Sequence, residues 1–323
     1  MKSSLRLAFP FFLLPLLVVP ILAQHVIKTV TVGTAPNGIS TNTTTNVVYV
    51  SNTGTNTVSV IDGASNTVTA TIITGNAPGP IAVYVPANLI FVYNTKDKTM
   101  SIIDGYTNTV NKTEAVPFGV TAMTLLGQSK YLYVSDASTE LVHVVDVTTL
   151  RKIADISVPA PSAIAANAVG KLVYVTSAGA AIIVINTTTN TATGAFFPPA
   201  NNNFSSISAD ATDNLLYATI CPTTSPTNCS IEGLNATTGV VLGTTPAIGA
   251  VNQVFAMPGI KKAVISGGTG KTLNSLTFVS GTAYNVTATV TVGNNPTAIG
   301  YYLKTLTVYV TNQASNSVSV VGS

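Results

Sequence analysis

The chain has 323 residues, of which 46% are apolar, 7% aromatic and only 8% charged, with a formal net charge of +3. Average soluble proteins carry about 25% charged residues, so ion-pair-rich surfaces, coiled coils and the charged composition of disordered chains are all excluded. Only Arg6 and Arg151 are arginines, which leaves no electrostatic footprint for nucleic acid.

In chain order, the first expected element is a targeting segment. Lys2 and Arg6 form a positive stretch, residues 7–22 are apolar, and Ile21-Leu22-Ala23 offers a cleavage site before Gln24. The competing reading is a retained anchor, but Pro10, Pro15 and Pro20 interrupt the stretch and it is short for the ~20 residues a spanning helix needs. The sequence therefore predicts a signal peptide over 1–23, an exported protein and no membrane span in the mature chain. The first strand is expected at Val26–Val32, whose sequence resembles Thr287–Val292 far along the chain.

Internal repeats follow. Residues 57–75 and 275–293 align without a gap. An aromatic–Val pair begins at Tyr49, Phe91, Tyr133 and Tyr174, continues as Tyr217-Ala218 and Val264-Ile265, and closes at Tyr309-Val310, with steps of 42, 42, 41, 43, 47 and 45 residues. Each unit holds four short runs rich in Val, Ile, Thr and Tyr, separated by Gly, Pro, Asn and Ser. Runs such as Val58–Ile61 and Ile182–Ile185 are apolar on both faces, as strands packed between two neighbouring sheets must be. A period in the low forties with four strands per unit predicts an all-β, seven-bladed propeller. The expected blades cover 34–75, 76–116, 117–158, 159–198, 199–246, 247–293, and 294–323 plus 24–33, within one domain over 24–323. The seventh unit ends on its third strand at Val318–Val321. The N-terminal strand supplies the fourth and closes the ring, which removes two exposed edges.

Tyr309-Val310-Thr311-Asn312 spells the tetrapeptide of the YVTN β-propeller repeat, and Tyr49-Val50-Ser51-Asn52, Tyr133-Val134-Ser135-Asp136 and Tyr174-Val175-Thr176-Ser177 are close variants. Val58–Asp62 and Met100–Asp104 resemble the second motif of that repeat. The resemblance covers the mature chain, with units five and six departing most. It implies a secreted, surface-layer-like prokaryotic propeller and implies no particular activity, because propellers host many.

The chemistry-bearing residues are few. Asp62, Asp104 and Asp146 end equivalent strands before turn residues, where a carboxylate accepts backbone N–H groups. Asn186 and Asn235 stand at the same place, which favours a structural turn over acid catalysis. His143 lies inside a strand as a lone histidine, and Asp210 and Asp213 are expected in a surface loop. Cys221 and Cys229 are the only cysteines. In an exported chain they read as one disulfide across a long hairpin tip. Asn42, Asn111, Asn186, Asn203, Asn228, Asn235 and Asn285 each begin an Asn-x-Ser/Thr glycosylation acceptor. Ser266–Thr272 resembles a phosphate-binding loop, but Ile265 stands where its first Gly belongs and a strand, not a helix, is expected next.

No catalytic, metal-binding or cofactor-binding set emerges, and no cofactor is expected. The preferred function is a non-catalytic cell-surface scaffold, adhesive or binding module. Its partners would be envelope polymers, other surface proteins or further copies of itself. The alternatives are a propeller enzyme acting at the channel mouth, lactonase-like or sugar-active, and a redox propeller. Carboxylates or histidines converging on the channel would favour catalysis.

Overall fold

The computed structural model describes residues 23–178, 180–268 and 273–322. The expected signal segment falls outside them, apart from Ala23. Among the described residues no helix is long and apolar enough to cross a membrane.

The chain forms seven four-stranded antiparallel sheets. Blade one comprises β2 (Pro36–Asn42), β3 (Val47–Asn52), β4 (Thr57–Asp62) and β5 (Thr67–Ile73). Blade two comprises β6 (Pro78–Tyr84), β7 (Leu89–Asn94), β8 (Thr99–Asp104) and β9 (Thr109–Ala115). Blade three comprises β10 (Ala122–Leu125), β11 (Tyr131–Asp136), β12 (Leu141–Asp146) and β13 (Arg151–Ser157). Blade four comprises β14 (Pro161–Asn167), β15 (Leu172–Ser177), β16 (Ala181–Asn186) and β17 (Thr191–Phe196). Blade five comprises β18 (Asn202–Asp210), β19 (Leu215–Pro222), β20 (Ser230–Asn235) and β21 (Val241–Thr244). Blade six comprises β22 (Ala250–Met257), β23 (Lys262–Gly268), β24 (Ser275–Ser280) and β25 (Val286–Thr291). Blade seven takes β26 (Pro296–Tyr302), β27 (Thr307–Asn312) and β28 (Ser317–Gly322), and its outer strand is β1 (His25–Thr31).

The ring closure is faithful to the repeat. In blade one the third and fourth strands shift register between Val60 and Ile61, and blades two to six shift at the equivalent place. β1 shifts against β28 beside Val320, the residue equivalent to Val60. The N-terminal strand thus reproduces even the bulge, which bends an outer strand and increases its twist.

The strand runs are apolar on both faces because each sheet is covered on both faces by its neighbours. One such seam joins Val58, Val60 and Ile72 of blade one to Ile81, Ile90, Val92 and Ile103 of blade two. The repeated tyrosines pin the seams. Tyr133 Oη donates to Asn190 Oδ1 of the next blade at 2.7 Å, and Tyr174 Oη donates to the Ala236 carbonyl at 2.5 Å. Tyr309 does the same across the closure, donating to Asn66 Oδ1 at 3.2 Å. Tyr217 presses so closely on the blade-six turn that a Cβ on Gly281 would lie 1.9 Å from its hydroxyl. Only glycine fits there.

Candidate functional site

The first strands of the seven blades line the central channel. At one mouth the cavity is about 540 Å3, with Asn37, Thr121, Ser162, Ser205, Asn252 and Thr297 among its lining residues. Toward the other end a second cavity of about 350 Å3 is lined by Ser40, Thr124, Ser208 and Phe255 together with aliphatic residues. Among the described residues, none of those lining either cavity is ionisable. The polar groups also bind their neighbours: Asn252 Nδ2 donates to the Pro296 carbonyl at 2.6 Å, and Gln253 Oε1 accepts from the Ile299 N–H at 2.7 Å. The described channel wall is therefore neutral, with hydroxyls and amides among its residues at one mouth and mainly aliphatic side chains toward the other.

The recurring carboxylates lie elsewhere, at the turns between third and fourth strands. Asp62 Oδ1 accepts from the Ala64 N–H and Asp62 Oδ2 from the Ser65 hydroxyl. Asp104 Oδ1 accepts from the N–H groups of Tyr106 and Thr107. Asp146 Oδ1 accepts from both the N–H and the hydroxyl of Thr148, while Lys130 Nζ lies 2.7 Å from its Oδ2. Asn186 and Asn235 make the same contacts to Thr188, Thr189, Thr237 and Thr238. These bonds hold the Asp62 carboxyl below its usual range, and the Lys130 contact does the same for Asp146. The three acids stand in three different blades and do not converge.

Cys221 and Cys229 are bonded, with an S–S distance of 2.06 Å, across the β19–β20 hairpin. Of the sequons, Asn111, Asn203, Asn228 and Asn285 are exposed, while Asn186 and Asn235 are half-buried. Asn42 must be withdrawn as an acceptor. Its side chain is fully buried, Oδ1 accepting from Thr44 and Thr45 and Nδ2 donating to Asn88 Oδ1 at 2.6 Å. A glycan has no access to that amide in the folded chain. Asp210 is likewise not in a surface loop. It ends β18, is fully buried, and accepts from the N–H groups of Thr212, Asp213 and Gly259. Ser266, Gly267 and Gly268 end β23, and β24 follows. The remainder of the phosphate-loop resemblance, residues 269–272, lies outside the described residues.

A cluster of ionisable groups surrounds His143. Nδ1 lies 2.5 Å from Asp155 Oδ1, and Nε2 lies 3.3 Å from Asp136 Oδ2. Lys152 Nζ holds the other Asp155 oxygen at 2.6 Å. Phe118 covers the imidazole, with ring centroids 4.2 Å apart. His143 and Asp136 are buried, at 2% and 1% exposed. Burial disfavours the Asp136 charge, but bonds from Ser138, Thr139 and the Gly119 N–H outweigh it and hold the carboxyl well below its usual range.

His143 is therefore not solitary, and the repeat carried the clue. In blades one, two and seven the equivalent strand-two residue is Asn, donating to a strand-three Ser: Asn52 to Ser59, Asn94 to Ser101 and Asn312 to Ser319, at 2.8–2.9 Å. Blade three replaces the pair with Asp136 and His143, and adds Asp155 where blades one and two have Thr71 and Thr113. The cluster fixes a blade. Its ring nitrogens are both engaged and its ring face is covered, which leaves no free base for a substrate. Among the described residues no group of three His, Cys, Asp or Glu side chains is placed to hold a metal ion.

No protein-family profile and no curated protein sequence matches this chain. Solved structures do. Hydrazine synthase of Kuenenia stuttgartiensis superposes with a TM-score of 0.76 at 14% identity, over 90% of this chain and 96% of that one. The Cps50 (Swd1) β-propeller domain of Myceliophteria thermophila superposes with a TM-score of 0.76 at 9% identity, over 93% and 99%. At these identities the likeness is one of fold.

Proposed function

We propose that this chain is an exported, non-catalytic propeller of the YVTN repeat type, serving as a scaffold or binding module at the cell surface. The observation that carries this reading is the channel. An enzyme working at its mouth would need acids, bases or metal ligands pointing in, whereas among the described residues the lining consists of Asn, Gln, Ser, Thr and apolar residues. In the blade-three cluster the His143 ring is buried beneath Phe118 with both nitrogens engaged.

Export is supported by the Lys2–Arg6 and apolar N-terminal pattern and by the Cys221–Cys229 disulfide, a bond that persists in oxidising compartments. A neutral hydroxyl- and amide-lined mouth suits uncharged polar partners such as envelope polymers, bound by hydrogen bonds rather than by charge. The exposed β19–β20 connection carrying Asn228 offers further contact surface, and self-association through blade edges is the other expected mode.

The test uses protein secreted and purified without added metal. It should hold no stoichiometric metal, turn over no member of a lactone and glycoside panel, and co-sediment with envelope polymer fractions in a manner insensitive to salt. Robust turnover or bound metal would overturn the reading in favour of an enzyme.

A further inference from the structure

The outer strand of blade two breaks the repeat at one position. β9 pairs with β8 so that Glu114 stands opposite Met100. The equivalent fourth-strand residues are Ile72 in blade one, Ile156 in blade three, Val290 in blade six and Val30 in the closing strand. All four are buried in the seam to the next blade, at 5–6% exposed. Glu114 instead keeps a side chain 40% exposed and pairs with Lys112. Opposite it, Met100 is 7% exposed where Val58, Val142, Leu276 and Val318 are fully buried.

A missing aliphatic plug leaves a hole. Between blades two and three lies a cleft of about 120 Å3, lined by Phe91, Met100, Phe118, Leu132, Val147 and Leu150 among other apolar residues. Its only charged lining residues are Glu114 and Lys152, and both already have ionic partners, Lys112 and Asp155. No unpaired charge faces the space. Enclosed apolar cavities of about this size take up a benzene-sized guest, and this cleft differs in opening to solvent beside Glu114.

We propose that this cleft is a binding site for a small uncharged apolar molecule, one aromatic ring or a hydrocarbon of equal bulk. The site is distinct from the channel and does not depend on what the channel binds. Its ligand is selected by shape and by the absence of a free charge. Replacing Glu114 with the aliphatic residue type used in blades one, three, six and seven should fill it.

The experiment titrates the secreted protein with toluene and indole, reading the methyl resonance of Met100 and the melting temperature. Saturable movement of that resonance is expected, with a rise in melting temperature of about 2 °C or more once the probe is ~100-fold above its Kd. Glu114→Ile should weaken both probes at least about tenfold while melting higher than the parent, because the repeat's own side chain occupies the hole. Glu114→Gln, which leaves the hole open, should bind within about twofold of the parent, since the carboxylate makes no contact the ligand needs. Met100→Phe blocks the cleft from its other side and, read by the melting temperature alone because it removes the reporter methyl, serves if Glu114→Ile does not fold. The proposal falls if neither probe moves the Met100 resonance, if both blocking variants bind like the parent, or if benzylammonium or benzoate binds as tightly as toluene.

Discussion

Asp136 occupies the place that Asn52, Asn94 and Asn312 hold in three other blades, and that single change from amide to carboxylate requires a donor opposite. His143 supplies it where the others have Ser. His143→Ala should therefore lower stability by about 1–3 kcal/mol, because Asp136 stays buried with one partner fewer. Asp136→Asn combined with His143→Ser should recover most of that loss by restoring the pair used elsewhere. Thermal melts of the two single variants and the double variant measure the coupling; strictly additive losses would mean that the two side chains act independently. Glu232 is the opposite case. It occupies the position equivalent to His143 in blade five, is 2% exposed, and Oε2 has no partner. Burial pushes its carboxyl up. Blade four has Ile183 at this position, so Glu232→Ile should raise stability at pH 7 by about 1–3 kcal/mol, the cost of a buried polar group without a bond. The gain should shrink at pH 4, where the carboxyl is neutral. An equal gain at both pH values would assign the effect to packing instead.

β1 is the element on which the ring depends, since its removal would uncover β28, whose Val318, Val320 and Val321 are fully buried. A chain beginning at Thr34 should lose more than about 4 kcal/mol, the range reached only when a core is opened, and should associate through the bare edge. A truncated chain that stays monomeric and melts like the parent would contradict this. The β19–β20 hairpin is stapled more modestly. Cys221 and Cys229 enclose a short loop, eight residues apart in sequence. Replacing both with Ser should cost about 2–3 kcal/mol, read as the melting difference between the two proteins. Elements of this kind were legible because each was written several times over: the aromatic–Val pair, the turn Asp or Asn and the four short runs recur down the chain, and β1 shares the fourth-strand pattern. The blade-three cluster was legible only in part: the exchange of Asn and Ser for Asp136 and His143 shows in the repeat, but Asp155 reaches His143 only through the shifted register of β12 and β13. Nor was the cleft behind Glu114. One glutamate in an exposed-looking strand carries no mark of the seam it fails to fill until strand pairing sets it opposite Met100.

Across the whole molecule, neutral turns and a handful of carboxylates decide the response to acid. Asp62, Asp97, Asp136, Asp146 and Asp155 are held below their ordinary range by hydrogen bonds or by lysine partners, for Asp136 and Asp155 against the opposing effect of burial. Each contributes stability that is complete above the unfolded value of about 3.9 for Asp and is lost as pH falls toward the lower folded value. Asp210 and Glu232 are pushed up by burial. Their contribution has the opposite sign: it is complete below the unfolded values of about 3.9 and 4.3 and is lost as pH rises through the folded ones. These carboxylates therefore hold the melting temperature level, or raise it slightly, between pH 7 and about pH 4.5, because the raised pair takes up protons while the lowered five keep their charge. Below about pH 4 the order reverses, since the unfolded chain binds protons that the native turns refuse. Melts in steps from pH 7 to pH 2 would trace this shape. Substituting Asn for Asp136 and Asp146 together should flatten the acid limb and leave the upper plateau unchanged in slope, at a lower overall stability because the amide nitrogen of each Asn meets a donor that a carboxylate oxygen had accepted. A steep fall already complete at pH 5 would show that these carboxylates do not govern the acid response.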